Sequence, residues 1–313
     1  MARALAFPGQ GSQAVGMGKP VAEAFAVARE VFAEVDEALS QNLSKLMWSG
    51  PEADLTLTEN AQPAIMATSM AVYRVLEREG GFQLGKHAAY VLGHSLGEST
   101  ALCAAGALTL ADCARLLKKR GQAMQKAVPV GTGAMVALIG ADRPDVDRLV
   151  EAARQGDVLD VANDNAPGQI AISGTKAAIE RASAMSKEFN VRRAIPLVVS
   201  APFHCALMKP AAEALAEVLE GMTIAPPAVP VIANVTAAPV SDPATIRKLL
   251  VDQVAGMVRW RESIASLPAL DVDTVVEIGA GKVLTAMVKR ITPDLNPLNV
   301  DTPADIEAFL KTL

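Results

Sequence analysis

Apolar positions along this chain alternate between two patterns. Short unbroken apolar runs give way to longer stretches in which apolar residues recur every three or four positions. The first run, residues 2–7, predicts a strand. It breaks at Phe7-Pro8-Gly9-Gln10-Gly11-Ser12-Gln13, a polar turn able to expose backbone amides. Helical spacing follows over residues 23–39 and again over 61–78, where Gly80-Gly81 ends it. Residues 88–92 predict a buried strand running directly into Gly93-His94-Ser95-Leu96-Gly97, with helices over 95–105 and 109–127 beyond it.

The pattern shifts at Pro129. A strand over 134–140, a helix over 144–154, strands over 158–163 and 169–173, a helix over 176–189 and a strand over 192–197 follow in turn. That order, β-α-β-β-α-β, is the one found in ferredoxin-like split units. After Ser200-Ala201-Pro202 the larger alternation resumes, with a helix over 209–219, a strand over 229–234 and a helix over 246–254. A strand over 274–278 then precedes Gly279-Ala280-Gly281-Lys282 and a further helix. Strands alternating with helices imply a mostly parallel sheet covered on both faces. The expected fold is therefore α/β, a core from residues 1–127 and 198–313 interrupted by a ferredoxin-like subdomain over 128–197.

Composition narrows the possible functions. Of 313 residues, 51% are hydrophobic and 20% charged, which favours a sizeable core over disorder. Aromatics at 4% and a net charge of −5 argue against nucleic-acid binding. The three cysteines, Cys103, Cys113 and Cys205, show no pairing framework. The first apolar run is too short for a signal peptide, and uncharged runs such as 99–111 are too short to span a bilayer. A cytoplasmic protein is expected, with no membrane partner and with neither a metal nor a cofactor.

The candidate chemistry begins at Ser95. Gly93-His94-Ser95-Leu96-Gly97 matches G-x-S-x-G with an apolar strand before it and a helix after it. A sharp strand-to-helix turn lifts the hydroxyl clear of the sheet and places it at a helix N-terminus, where developing negative charge is favoured. Such a serine needs a general base, and the chain has only three histidines. His94 adjoins the serine and should point away from the hydroxyl, and His87 reads as a solvated lead-in to the strand. His204, in a turn between a strand and a helix, remains as the base. Its neighbour Cys205 reads as a packing residue, since adjacent side chains diverge.

A second clue lies in the helix over 109–127. Arg120 falls on the same stripe as Cys113, Leu116, Leu117 and Met124, whereas Arg115, Lys118 and Lys119 point elsewhere. A guanidinium on an apolar face requires a partner. An internal carboxylate and a substrate carboxylate both satisfy the pattern.

Taken in order, the motifs around Gln10, Ser95 and Arg120, with Asn165-Ala166-Pro167-Gly168-Gln169, His204-Cys205-Ala206-Leu207-Met208 and Glu277-Ile278-Gly279-Ala280-Gly281-Lys282-Val283-Leu284, resemble malonyl-CoA:acyl carrier protein transacylases over essentially the whole chain. The resemblance implies a hydrolase-like α/β core with a ferredoxin-like insert. It implies ping-pong transfer of malonyl from malonyl-CoA to acyl carrier protein through an ester on Ser95, in fatty-acid biosynthesis, with His204 as base. It further implies that Arg120 clamps the malonyl carboxylate and that the Gln10 and Leu96 amides form the oxyanion hole. The main-chain carbonyl of Gln253 would orient the histidine, and Gln62, Met124 and Asn165 would line the acyl pocket. Ser99, Ala280 and Met257 depart from the family pattern without removing a reacting group. Acyl carrier protein is acidic, and Lys187, Arg192, Arg193, Lys118 and Lys119 offer basic surface for it. A serine thioesterase or esterase on the same turn, a polyketide acyltransferase with the same chemistry and an inactive carrier-binding scaffold remain alternatives.

Overall fold

In the computed structural model, which describes residues 2–313, the strands are β1 (Ala2–Phe7), β2 (Tyr90–Gly93), β3 (Gly133–Ile139), β4 (Leu159–Ala166), β5 (Gln169–Thr175), β6 (Arg193–Pro196), β7 (Val231–Ala233), β8 (Ala238–Val240), β9 (Val272–Ile278) and β10 (Asn296–Val300). They form two sheets. The larger runs β10-β9-β1-β2-β7-β8 and is parallel except where β8 returns along β7. The smaller runs β4-β5-β3-β6 and is antiparallel throughout, the strand order of a ferredoxin-like unit.

Both faces of the larger sheet are buried, because its strands carry apolar residues at consecutive positions. Along β1, Leu5 and Phe7 enter the main core with Ile65, Met66 and Val72 of the helix Thr58–Arg78. Ala4 and Ala6 point the other way, into a second core with Trp260, Ile264 and Leu284. The smaller sheet packs one face on the helices Arg143–Arg154 and Lys176–Met185 through Val136, Leu138, Ile172, Leu149 and Ile179. Its β4 also meets the core: Asn163 bridges Val258, and the fully buried carboxylate of Asp164 accepts two bonds from Arg261 at 2.9 and 2.7 Å.

Two features depart from the periodicity. The single helix expected over 23–39 is two, Lys19–Ala24 and Ala26–Leu39, because Phe25 leaves helical space (φ −126°, ψ 129°) and packs its ring against the core. Strands β8 and β10 carry Pro239 and Pro297 and show no apolar run. Both are edge strands, where a missing amide donor is tolerated. What matters for the site is the alignment of β1, β2 and β7 as parallel neighbours. Their C-terminal ends deliver Gln10, Ser95 and Asn234 to one edge of the sheet, where open α/β sheets place their ligands.

Candidate active site

Ser95 occupies a strained turn between β2 and the helix Leu96–Ala104, with φ 53° and ψ −109°. Both flanking glycines are needed for close backbone crossing. A Cβ on Gly93 would lie 1.9 Å from the carbonyl carbon of Gly97, and one on Gly97 would lie 2.2 Å from the Phe7 carbonyl oxygen. The strain is held by Asn234, just past β7, which accepts from the Ser95 amide at 2.8 Å and donates to the Gly93 carbonyl at 2.7 Å.

His204 is buried, and its Nε2 stands 2.8 Å from Ser95 Oγ. Its Nδ1 lies 2.9 Å from the Gln253 carbonyl and 3.1 Å from that of Gly256. Carbonyl oxygens only accept, so Nδ1 carries the proton and Nε2 is left as the acceptor for the serine hydroxyl. Burial, reinforced by the Arg120 guanidinium, pulls His204 from 6.5 down to about 3, so the free imidazole is neutral.

Arg120 comes from the helix Leu110–Lys126 and is 4% exposed. Its Nη1 donates to Gln62 Oε1 at 2.8 Å, and its Nη2 donates to Gln253 Oε1 at 2.8 Å and to Ser95 Oγ at 3.1 Å. All three partners are neutral, and no carboxylate among the described residues forms an ion pair with it. Burial lowers its pKa to about 10, still far above neutrality, so it stays charged. A buried cation with neutral partners beside a nucleophile is a site prepared for an anion.

Ser95, His204 and Arg120 line a cavity of about 250 Å³ together with Gln10, Leu96, Gln62 and Met124. Leu96 opens its helix, so its amide is among those without an intrahelical partner. Met135, Asn163 and Leu197 come to the same cavity from the smaller sheet's segment. Asn165 stands elsewhere: its Oδ1 meets His94 Nε2 at 2.8 Å, and Asn163 lies on the cavity wall. His94, which also touches the cavity, is thereby tied to Asn165 and packs near Trp260. Cys205 is buried, with its Sγ bonded to the Pro202 carbonyl. Lys118 pairs with Glu59 at 3.1 Å, while Lys119, Lys187, Arg192 and Arg193 are exposed.

Two site residues escaped the sequence reading. Glu98, 2% exposed, accepts from the Asn234 amide at 2.9 Å and from Gln253 Nε2 at 2.8 Å. A lone carboxylate opening an otherwise uncharged helix was its signal. Asn234 carried none, because its role depends on strand neighbours distant in sequence.

A strained serine at a helix N-terminus, a neutral histidine held by main-chain carbonyls and a buried arginine facing their cavity define a serine-based acyl transferase. The chain belongs to that family, its residues 5–302 matching the acyl transferase domain. Its relatives narrow the membership to the malonyl CoA-acyl carrier protein transacylases. The Bacillus subtilis (strain 168) transacylase is 45% identical over 311 residues, covering 99% of this chain and 96% of the relative. The Escherichia coli (strain K12) transacylase is 44% identical over 308 residues, covering 98% of each. Among solved structures, an acyl-carrier-protein S-malonyltransferase from Bartonella henselae superposes with a TM-score of 0.97 at 52% identity, covering 100% of this chain and 99% of that one. A malonyl-transacylase solved in complex with a type II polyketide acyl-carrier protein gives a TM-score of 0.96 at 42% identity, with both chains fully covered.

Proposed function

We propose that the chain transfers malonyl from malonyl-CoA to the phosphopantetheine thiol of acyl carrier protein, by a ping-pong route through an ester on Ser95, in fatty-acid biosynthesis. The observation that carries this reading is Arg120, a buried cation with neutral partners 3.1 Å from the nucleophile. An esterase of uncharged acyl groups would have no use for it.

In the first half-reaction Ser95 Oγ attacks the thioester carbon while His204 Nε2 takes the hydroxyl proton. The oxyanion is received by the Gln10 and Leu96 amides, and losing one such donor typically costs about 10²–10³ in rate. The tetrahedral adduct collapses, the C–S bond breaks and His204 returns its proton to the departing coenzyme A sulfur. In the second, the carrier's thiol gives its proton to His204 and attacks the serine ester, and Ser95 recovers its hydrogen. The Gln253 carbonyl keeps the imidazole in one tautomer throughout, taking the place of the carboxylate in a serine–histidine–aspartate triad. Arg120 receives the malonyl carboxylate through two parallel N–H···O bonds, with Gln62 and Met124 forming the wall beside it.

Residues 128–197 act in this reading as a subdomain over the cavity mouth, a division supported by strands β3 to β6 forming a sheet of their own. No helix among the described residues is long and apolar enough to cross a membrane, which accords with a cytoplasmic site of action. The test is the intact mass of the protein after brief mixing with malonyl-CoA, alongside Ser95→Ala. A malonyl adduct that requires Ser95 and passes to added carrier protein is expected. Release of coenzyme A with free malonate and no carrier acylation would replace the transferase by a thioesterase.

A further inference from the structure

The direct partners of Arg120 are neutral, yet one of them leads to a carboxylate. Gln253 accepts from Arg120 Nη2 through Oε1 at 2.8 Å and donates through Nε2 to Glu98 Oε2 at 2.8 Å. Its amide dipole therefore bridges cation and carboxylate, with all three side chains at most 4% exposed. The same Nε2 lies 3.1 Å from the Ser95 carbonyl, so the bridge also grips the nucleophile's backbone.

We propose that Glu98 is the counter-charge of the Arg120 clamp, acting through the Gln253 amide, and that it takes up a proton when a substrate carboxylate occupies Arg120. The inference rests on the malonyl-transfer reading and deepens it. With Glu98 ionised, the buried chain Arg120–Gln253–Glu98 already holds one anion for its one cation, and a malonyl carboxylate would bring a second anion. Protonating Glu98 restores neutrality without moving a heavy atom. Its oxygens can still accept from Asn234 and Gln253.

The surroundings leave few rivals for that proton. The helix Leu110–Lys126 presents Arg120 and the Cys113 thiol toward the Glu98 helix, and the hydrogen bond with Cys103, reinforced by burial, keeps Cys113 protonated. The helix Thr58–Arg78 presents Tyr73, also held protonated, while its Arg74 and Glu77 pair with each other at the surface. β1 and β7 bring no charged side chain to this end of the sheet, and beyond β2 stands His94, lowered by burial. His204 lies across Ser95 and is neutral. Arg120 is the one charge acting on Glu98. Burial outweighs that pull and the two hydrogen bonds, raising Glu98 to about 7, so both of its forms are within reach at neutral pH.

Proton balance is read during single-turnover malonylation in weak buffer with an indicator dye, at about pH 8, where Glu98 starts ionised. The serine proton ends on the coenzyme A sulfur, and the ionisation of free coenzyme A, measured alone, is subtracted. Wild-type protein is expected to take up as much as about one proton per serine acylated, and Glu98→Gln none. The KM for malonyl-CoA should rise with pH across neutrality in wild type and stay level in Glu98→Gln. A purely structural Glu98 would move neither quantity. Difference infrared spectroscopy of wild type with carbon-13 malonyl covers the case of a variant that does not fold. A protonated-carboxyl band gained on acylation, clear of the shifted substrate bands, supports the proposal. Absence of that band, or uptake that survives in Glu98→Gln, overturns it. Failure of Ser95 to gain malonyl mass would instead sink the transfer reading itself, so the two failures are distinct.

Discussion

Arg120 carries the sharpest consequence of a single side chain. In the proposed transfer, replacing it by alanine leaves the malonyl carboxylate in a partly closed pocket without its cation, a loss of roughly 3–5 kcal/mol in malonyl kcat/KM. Acetyl transfer, which presents no carboxylate, should fall far less. Steady-state kinetics on the two thioesters check this, and equal losses would remove Arg120 from the clamp. His204 gives a pH prediction. In the proposed transfer His204 acts as neutral imidazole, and burial first and Arg120 second lower its pKa to about 3. Wild-type kcat/KM with acetyl-CoA should therefore hold below pH 6.5 and decline only as pH approaches the folded value. In Arg120→Ala the second cause is gone, and the acid limb should move upward. Stability has its own sign. The unfolded histidine gains its proton near 6.5 and the folded one does not, so the fold loses stability as pH falls from 6.5 toward about 3.

At the scale of elements, the turn after β2 depends on how closely the helix Leu96–Ala104 approaches β1. Gly97 sits against the Phe7 carbonyl, with no room there for a methyl group. Gly97→Ala must push the helix off the sheet. It should lower the unfolding midpoint and slow Ser95 acylation together, at a cost on the order of 3 kcal/mol or more. Thermal melts and burst-phase acylation measure the two effects. The elements themselves were unevenly legible. β3 to β6 and their helices could be read in order because each has a clear period and a turn beside it. The break at Phe25 could not, since the apolar spacing runs through it and only the tertiary pocket for the ring decides the backbone there. Asn165 illustrates a finer loss. It shares a strand with Asn163, and the register shifts along β4 settle which asparagine meets the cavity and which meets His94.

For the whole molecule, Ser95, His204 and Arg120 stood out in the sequence because each is rare or misplaced: a serine between glycines, one of three histidines, a cation on an apolar stripe. Glu98 and Asn234 did not, because they are joined to each other across 136 positions and Glu98 to Gln253 across 155. No local pattern records such distances. Surface charge belongs to this scale too. The chain is net acidic, so an acidic carrier must be met by a local basic area such as exposed Arg192 and Arg193. Reversing both charges should raise the carrier-protein KM, most strongly at low salt, and leave the malonyl-CoA half-reaction much less affected. An unaltered carrier KM would move the docking area elsewhere. The bond from Arg120 to Ser95 Oγ gives the resting protein one more property. The nucleophile's lone pair is engaged by the same guanidinium that a dicarboxylic acyl group must capture. Freeing the serine oxygen and capturing a carboxylate are then a single exchange of partners at Arg120, one donor changing hands between the group that reacts and the group that is recognised.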